Sequence, residues 1–180
     1  MRKIQLALSA ALLISAASIA NAQAPPAPTI PADTAAALKQ RAGKWTFEGS
    51  GLINGKQQSV SGTTDCKPFA GGVGLVCTWH EKASIEGSRR RIQLLGYDAQ
   101  AKMTRFAELD NRGFANSDTA SITPEGGTIH FSGTEDGKPM SGQDEIKVTS
   151  GGDEATEHVT VEVGGKRVVD VTMTHKKVKP

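Results

Sequence analysis

The chain has 180 residues, of which 37% are hydrophobic, 22% charged and 4% aromatic, with 20 glycines. That is the composition of one globular domain and excludes a disordered or collagen-like chain. Lys and Arg number 21 against 19 Asp and Glu. Once Arg2 and Lys3 leave with the first segment the two signs balance, so net charge gives nucleic acid or an anionic membrane no hold.

Residues 1–22 read as a secretory signal peptide. Arg2 and Lys3 form a basic start, Leu6 to Ile19 an apolar run, and Ala20-Asn21-Ala22 supplies the small residues a signal peptidase needs. Cleavage is expected after Ala22. The run is too short to span a bilayer comfortably, no basic stop-transfer flank follows, and no later segment is apolar enough to cross as a helix. The expected home is a periplasm or the exterior. Residues 23–33 contain Ala-Pro-Pro-Ala-Pro-Thr-Ile-Pro, a proline-rich spacer that favours extended polyproline II. The domain is expected to occupy residues 34–178.

A short helix opens it. Asp33 or Thr34 offers an N-cap, Ala35 to Leu38 are good helix formers, Lys39 and Arg41 suit the C-terminal turn, and Gly43 stands where a helix stops. Such a helix needs a surface to lie against.

Beyond Gly43 the periodicity changes to two. Turn signals fall at Asn54-Gly55, Asp98-Ala99, Asn111-Arg112-Gly113, Gly126-Gly127, Asp136-Gly137, Gly151-Gly152 and Gly164-Gly165. Ten strands lie between them, near 44–51, 57–66, 73–83, 89–98, 102–110, 113–122, 127–133, 139–149, 155–163 and 166–176. With no helical stretch to carry a parallel crossover, the sheet is an antiparallel meander. Ten meander strands must close or leave long edges. The expected fold is therefore all-β, an antiparallel up-and-down barrel of about ten strands with a short N-terminal helix. A two-sheet β-sandwich is the alternative.

Alternation assigns the faces. Trp45 with Phe47, Leu75 with Cys77 and Trp79, Ile92 with Leu94, Ile129 with Phe131, and Val159, Val161 and Val163 form apolar faces. Val169, Val171 and Met173 form another, which His175 continues. Phe106 shares its face with Thr104 and Glu108. The inner face is expected to hold core or a ligand cavity, and the candidate lining is Trp45, Phe47, Leu75 and Trp79 in the first half. Leu94, Phe106, Phe131 and Met173 complete it. Arg89-Arg90-Arg91 is the strongest charge run, read as a solvated edge or, more sharply, an anion-binding mouth. Cys66 and Cys77 are the only cysteines. In an oxidising compartment they favour a structural disulfide, the alternatives being two free thiols or a redox pair.

Catalytic motifs are missing. There is no Gly-x-Ser-x-Gly elbow. His80-Glu81 begins like a zinc-protease helix but has Ser84 where the second histidine belongs. The glycine pairs lack a phosphate-loop context. Glu108 with Asp110, and Asp144 with Glu145, are carboxylate pairs that read as solvated surface rather than acid–base machinery. No catalytic or metal site is assigned.

Gly43-Lys44-Trp45 after a short helix resembles the G-x-W signature of lipocalin and calycin barrels. The resemblance implies that the helix closes the barrel's base, that Trp45 plugs it, and that a basic side chain from the last strand covers the ring, here Lys176, Lys177 or Arg167. Leu38 to Trp45, then Gly71-Gly72-Val73-Gly74-Leu75-Val76, then Gly96-Tyr97-Asp98 resemble the uncharacterised bacterial secreted lipocalin-like family called domain of unknown function 1579. That likeness covers most of residues 38–176 and implies a secreted barrel, but no activity. Gly43, Trp45, Gly49 and Gly51 also resemble nitrobindin-type haem barrels, which implies His175 as a haem ligand.

The expected function is an extracytoplasmic barrel, monomer or homodimer, that binds a small apolar or amphipathic molecule. The alternatives are an envelope scaffold or protein-interaction domain with a filled interior, a haem-binding barrel, and an enzyme.

Overall fold

The computed structural model describes residues 29–149 and 151–179; the expected signal segment and most of the spacer lie outside them. Helix α1 (Ala32–Arg41) precedes ten strands. These are β1 (Gly43–Ile53), β2 (Lys56–Phe69), β3 (Gly74–Ala83), β4 (Gly87–Asp98) and β5 (Met103–Asp110), then β6 (Ala115–Thr123), β7 (Gly126–Glu135), β8 (Lys138–Val148), β9 (Glu154–Val163) and β10 (Lys166–Lys177). Each strand pairs with its sequence neighbours, and β1 closes on β10 from Trp45 opposite Lys177 to Ile53 opposite Val169. The barrel is therefore complete, which excludes the sandwich and leaves no free edge.

Alternation puts one residue in two inside. The interior near the base is packed by Leu75, Trp79, Leu95, Ile122 and Ile129. Two aromatic rings reach into the barrel over glycines on the neighbouring strand. A Cβ on Gly62 would lie 2.5 Å from Phe47, and one on Gly142 would lie 2.2 Å from Phe131. Each glycine stands directly opposite its ring. No larger residue fits at either position without moving an aromatic side chain.

The base is sealed as the G-x-W pattern implies. Leu38 and Ala37 are fully buried. The Trp45 indole N–H donates to the Arg41 carbonyl at 3.0 Å. Lys177 lies 5.2 Å above the Trp45 ring and donates to the Gln40 carbonyl, so it is the cation from the last strand. Arg167 instead pairs with Glu162 and Asp170 near the other end of that strand. Arg41 ties the helix to the β6–β7 turn through the carbonyls of Thr123 and Gly126. Cys66 and Cys77 sit directly opposite on β2 and β3 and are bridged, with Cα atoms 4.0 Å apart.

Three expectations change. The helix is preceded by Pro31, with no side-chain cap, and Asp33 lies in the first turn, where its charge still meets the exposed N–H groups. Ile92 and Leu94 are on the outside of the barrel, about half exposed. Their expected role in the lining fails because the inward set of β4 is the other parity, Arg89, Arg91, Gln93 and Leu95. Glu108 and Asp110 are not solvated surface but buried inside, as is Asp144.

Candidate functional site

The barrel holds two spaces that share a wall. The larger, about 540 Å³, runs from mid-barrel to the hairpin end, bordered there by the turns at Asn54, Glu86, Arg112 to Phe114 and Asp136. The smaller, about 100 Å³, lies over α1. Gln93, Phe106, Ile129, Asp144 and Glu157 border both spaces and form the partition between them. The large cavity thus reaches the hairpin end, opposite the helix.

The large cavity has two unlike walls. One is aliphatic, built from Val159 and Val161 of β9 with Val169, Val171 and Met173 of β10, continued by Ile129, Phe131 and Met140. The other is ionic. Arg89 contacts Asp110 at 2.5 Å and Glu108 at 3.1 Å. Arg91 contacts Glu81 at 3.1 Å and Glu108 at 3.3 Å. Gln93 donates to Glu108 at 2.7 Å. The Arg91 guanidinium also lies 4.5 Å from the centre of the Trp79 ring, a cation–π contact. Arg89 and Arg91 are therefore neither a solvated edge nor a free anion site, because carboxylates already occupy them.

The partition carries a second cluster. His175 Nε2 stands 2.5 Å from Glu157 Oε2. Its ring packs 5.3 Å from Phe47 and 5.7 Å from Trp79. Desolvation and the neighbouring Glu157 charge hold the Asp144 carboxyl well above its ordinary range. Burial also pushes Glu157 upward, but contact with His175 outweighs it and leaves Glu157 below the ordinary range. Asp144 is the protonated member of a carboxyl–carboxylate pair. Desolvation likewise opposes ionisation of Asp110, yet the Phe114 backbone N–H, then Arg89, keep its carboxyl below the usual range. Arg91 shows the same balance: burial is outweighed by Glu108 and Glu81, and its guanidinium is held more firmly protonated than usual.

The residues expected to line a ligand site divide by depth. Phe131 and Met173 border the large cavity, Phe106 both spaces, and Trp45, Leu75 and Trp79 the small one. Phe47 is buried in the aromatic stack and borders neither. Leu94 faces away. His175 does not fit the haem expectation. Its Nε2 is taken up by Glu157, and its chamber of about 100 Å³ is below the roughly 300 Å³ at which small-molecule pockets begin. Sequence reasoning missed Glu157, and met Arg91, Glu81 and Asp144 only as a charge run, a rejected protease motif and a surface carboxylate pair. Parity offered a signal: Glu157 is in phase with Val159 and Val161, and Arg91 with Gln93 and Leu95. No group of three or more His, Cys, Asp or Glu suited to a metal ion occurs among the described residues.

The architecture defines a class: a closed, ten-stranded, lipocalin-like barrel with a helix across its base. The chain is similar in fold to two solved structures in particular. One is Rv2717c from M. tuberculosis, at 15% identity over 84% of this chain and 100% of that one, with a TM-score of 0.59. The other is the S-type phycobiliprotein lyase CPES from Guillardia theta, at 12% identity over 79% of this chain and 91% of that one, with a TM-score of 0.52. At these identities the likeness establishes the fold alone. No protein-family model and no curated protein matches the chain.

Proposed function

We propose that the protein is an extracytoplasmic carrier or sequestering barrel that binds one small amphipathic molecule in its upper cavity. The observation that carries this reading is the cavity itself. It is about 540 Å³, borders the turns at one end of the barrel, and sets an aliphatic wall against an ionic one. That volume lies in the range of small-molecule sites, whereas a filled barrel would have closed it with side chains. The Cys66–Cys77 bridge supports an oxidising compartment, and so does the sequence reading of residues 1–22. Among the described residues no helix is long and apolar enough to cross a membrane, which does not bear on strands. The motifs from Leu38 to Asp98 support kinship with the secreted lipocalin-like family resembled above.

The test is native mass spectrometry of protein exported to a periplasm, against its denatured spectrum and against Val161→Phe, which sets a ring into the cavity from its aliphatic wall. Extra mass in the native spectrum alone, absent from the variant, is the expected result. A bare native mass together with no uptake of the neutral apolar dye Nile red overturns the reading. The denatured mass reports cleavage after Ala22 in the same experiment.

One surface feature favours a second reading, contact with a protein. Ile92 and Leu109 face each other across β4 and β5 on the outer wall with Leu94 beside them, all about half exposed. Sedimentation of Leu94→Glu against the parent tests it; an unchanged assembly state in both leaves this face unused in self-association.

A further inference from the structure

We propose that the cavity selects cationic amphiphiles: molecules with an apolar body and a protonated amine, the amine seated at Asp144. The inference rests on the cavity being a ligand site and adds the chemistry of its occupant. Charge count is the first support. Eight carboxyl side chains line the cavity against three guanidinium groups, with no lysine or histidine among the described lining residues. Arg89 and Arg91 are spent on Glu81, Glu108 and Asp110, and Arg112 on Glu86. An incoming carboxylate meets guanidinium groups already engaged by carboxylates, with Arg91 Nε alone among their buried nitrogens lacking a partner, while an incoming ammonium meets the surplus of carboxyl groups.

The second support is an orphaned atom. Asp144 is only 8% exposed, borders the cavity, and its Oδ1 has no hydrogen-bond partner. A buried acceptor without a donor is costly, and an N–H group from a ligand would complete it. The aliphatic wall of β9 and β10 then receives the body of the ligand, because Val159 and Asp144 are directly opposite across β8 and β9.

The seat also couples binding to protons. Asp144 on β8 is faced by Glu157 on β9, Arg91 on β4, Glu108 on β5 and Arg41 on α1, and His175 on β10 stands behind Glu157. In the free protein Asp144 keeps its proton beyond the ordinary carboxyl range. A seated ammonium favours the ionised form, so the proton leaves to solvent as the ion pair forms. Amine affinity therefore rises with pH up to the point where free Asp144 is already ionised.

The test is calorimetric titration of the whole mature protein with decylamine, decanol and decanoate at pH 7. These share one chain and differ only in the head group, and the amine is protonated at that pH. The expected order is amine, alcohol, carboxylate, with about tenfold or more separating amine from alcohol, as for a hydrogen bond to a charged group. In Asp144→Asn the amine-to-alcohol ratio falls at least fivefold. If that variant does not fold, the parent decides: the same ratio must climb with rising pH until free Asp144 is ionised, and titration in two buffers of different ionisation heat must show proton release below that point. Decanoate binding as well as decylamine, or a ratio independent of pH, overturns the cationic inference while leaving the cavity a ligand site. Failure of all three amphiphiles and of Nile red removes both.

Discussion

The two ends of the barrel are built by different chemistry. At the base, α1, Trp45, Lys177 and the disulfide pack into a plug, tied by the Trp45 and Lys177 contacts to helix carbonyls. In the upper half, valines face a layer of guanidinium and carboxylate groups across open space. The base resembles an ordinary core, in which close packing holds the fold. The upper half buries ionic groups that contribute little net stability even when well paired. It keeps the larger cavity, bordered by Asp144, which is where the proposed ligand would sit. The contrast teaches that in this barrel depth, not strand identity, separates the packed side chains from those that border open space.

That division can be broken by removing one member at each depth. The largest effect is expected from Arg91→Met, which strips Glu81 and Glu108 of a buried cation. Such losses cost about 3–5 kcal/mol, roughly 2–4 °C of Tm for each kcal/mol in a domain of this size. Thermal unfolding checks it, and a shift below about 1 kcal/mol would mean that the ionic layer is far wetter than its burial indicates. At the base, the Cys66→Ser, Cys77→Ser double variant opens a loop with a sequence separation of 11. On the loop-entropy estimate this costs about 3 kcal/mol, read as a lower denaturant midpoint with no change in the affinity of the upper cavity.

The pH dependence sharpens the comparison. Folded Asp144 binds its proton more tightly than an unfolded aspartate, whose ordinary value is 3.8. Its stabilising contribution is thus complete below that value and is lost as pH rises through the folded one. Glu157 is shifted the opposite way from 4.5, so its contribution is present above that value and is lost as pH falls through the folded one. Stability is expected to peak in mildly acidic solution and to decline toward neutrality by at most about 1.4 kcal/mol per pH unit while Asp144 titrates. Denaturant unfolding across pH should show that decline in the parent and not in Asp144→Asn. The smallest effect belongs to Lys177→Met, which removes the cation over Trp45 and one carbonyl contact. Its cost is about 0.5–2 kcal/mol, checked by Tm, with Trp45 fluorescence reporting the loss of the cover.

Much of the fold was legible in the chain because period-two hydrophobicity and glycine turns are local signals. All ten strands were anticipated within three residues at each boundary, and helix, plug and cysteine bridge followed from short motifs and from an even cysteine count. The lining was legible only where apolar residues marked it, as at Phe106, Phe131 and Met173. Leu94 misled because an apolar pair on β4 was taken for the inner face, when the inward positions there are mostly polar and carry arginines. Which parity faces inward is fixed by strand register around the closed barrel, and β4 is set by β3 and β5, not by its own composition.

The amino-acid sequence by itself determined the strand count, the antiparallel order and a short N-terminal helix, consequences of periodicity, turn chemistry and composition, and it favoured a bridge between its two cysteines; the helix's place at the base came from the resemblance to G-x-W barrels. Only the tertiary structure decided that Arg89, Arg91, Glu108, Asp144 and Glu157 share one interior. It also decided that the larger space lies toward the end away from the helix and that Asp144 borders it. Those facts depend on closure of β1 against β10, which brings residues from β3 to β10 into one enclosed volume. There, desolvation gives their charges a meaning that no local pattern contains.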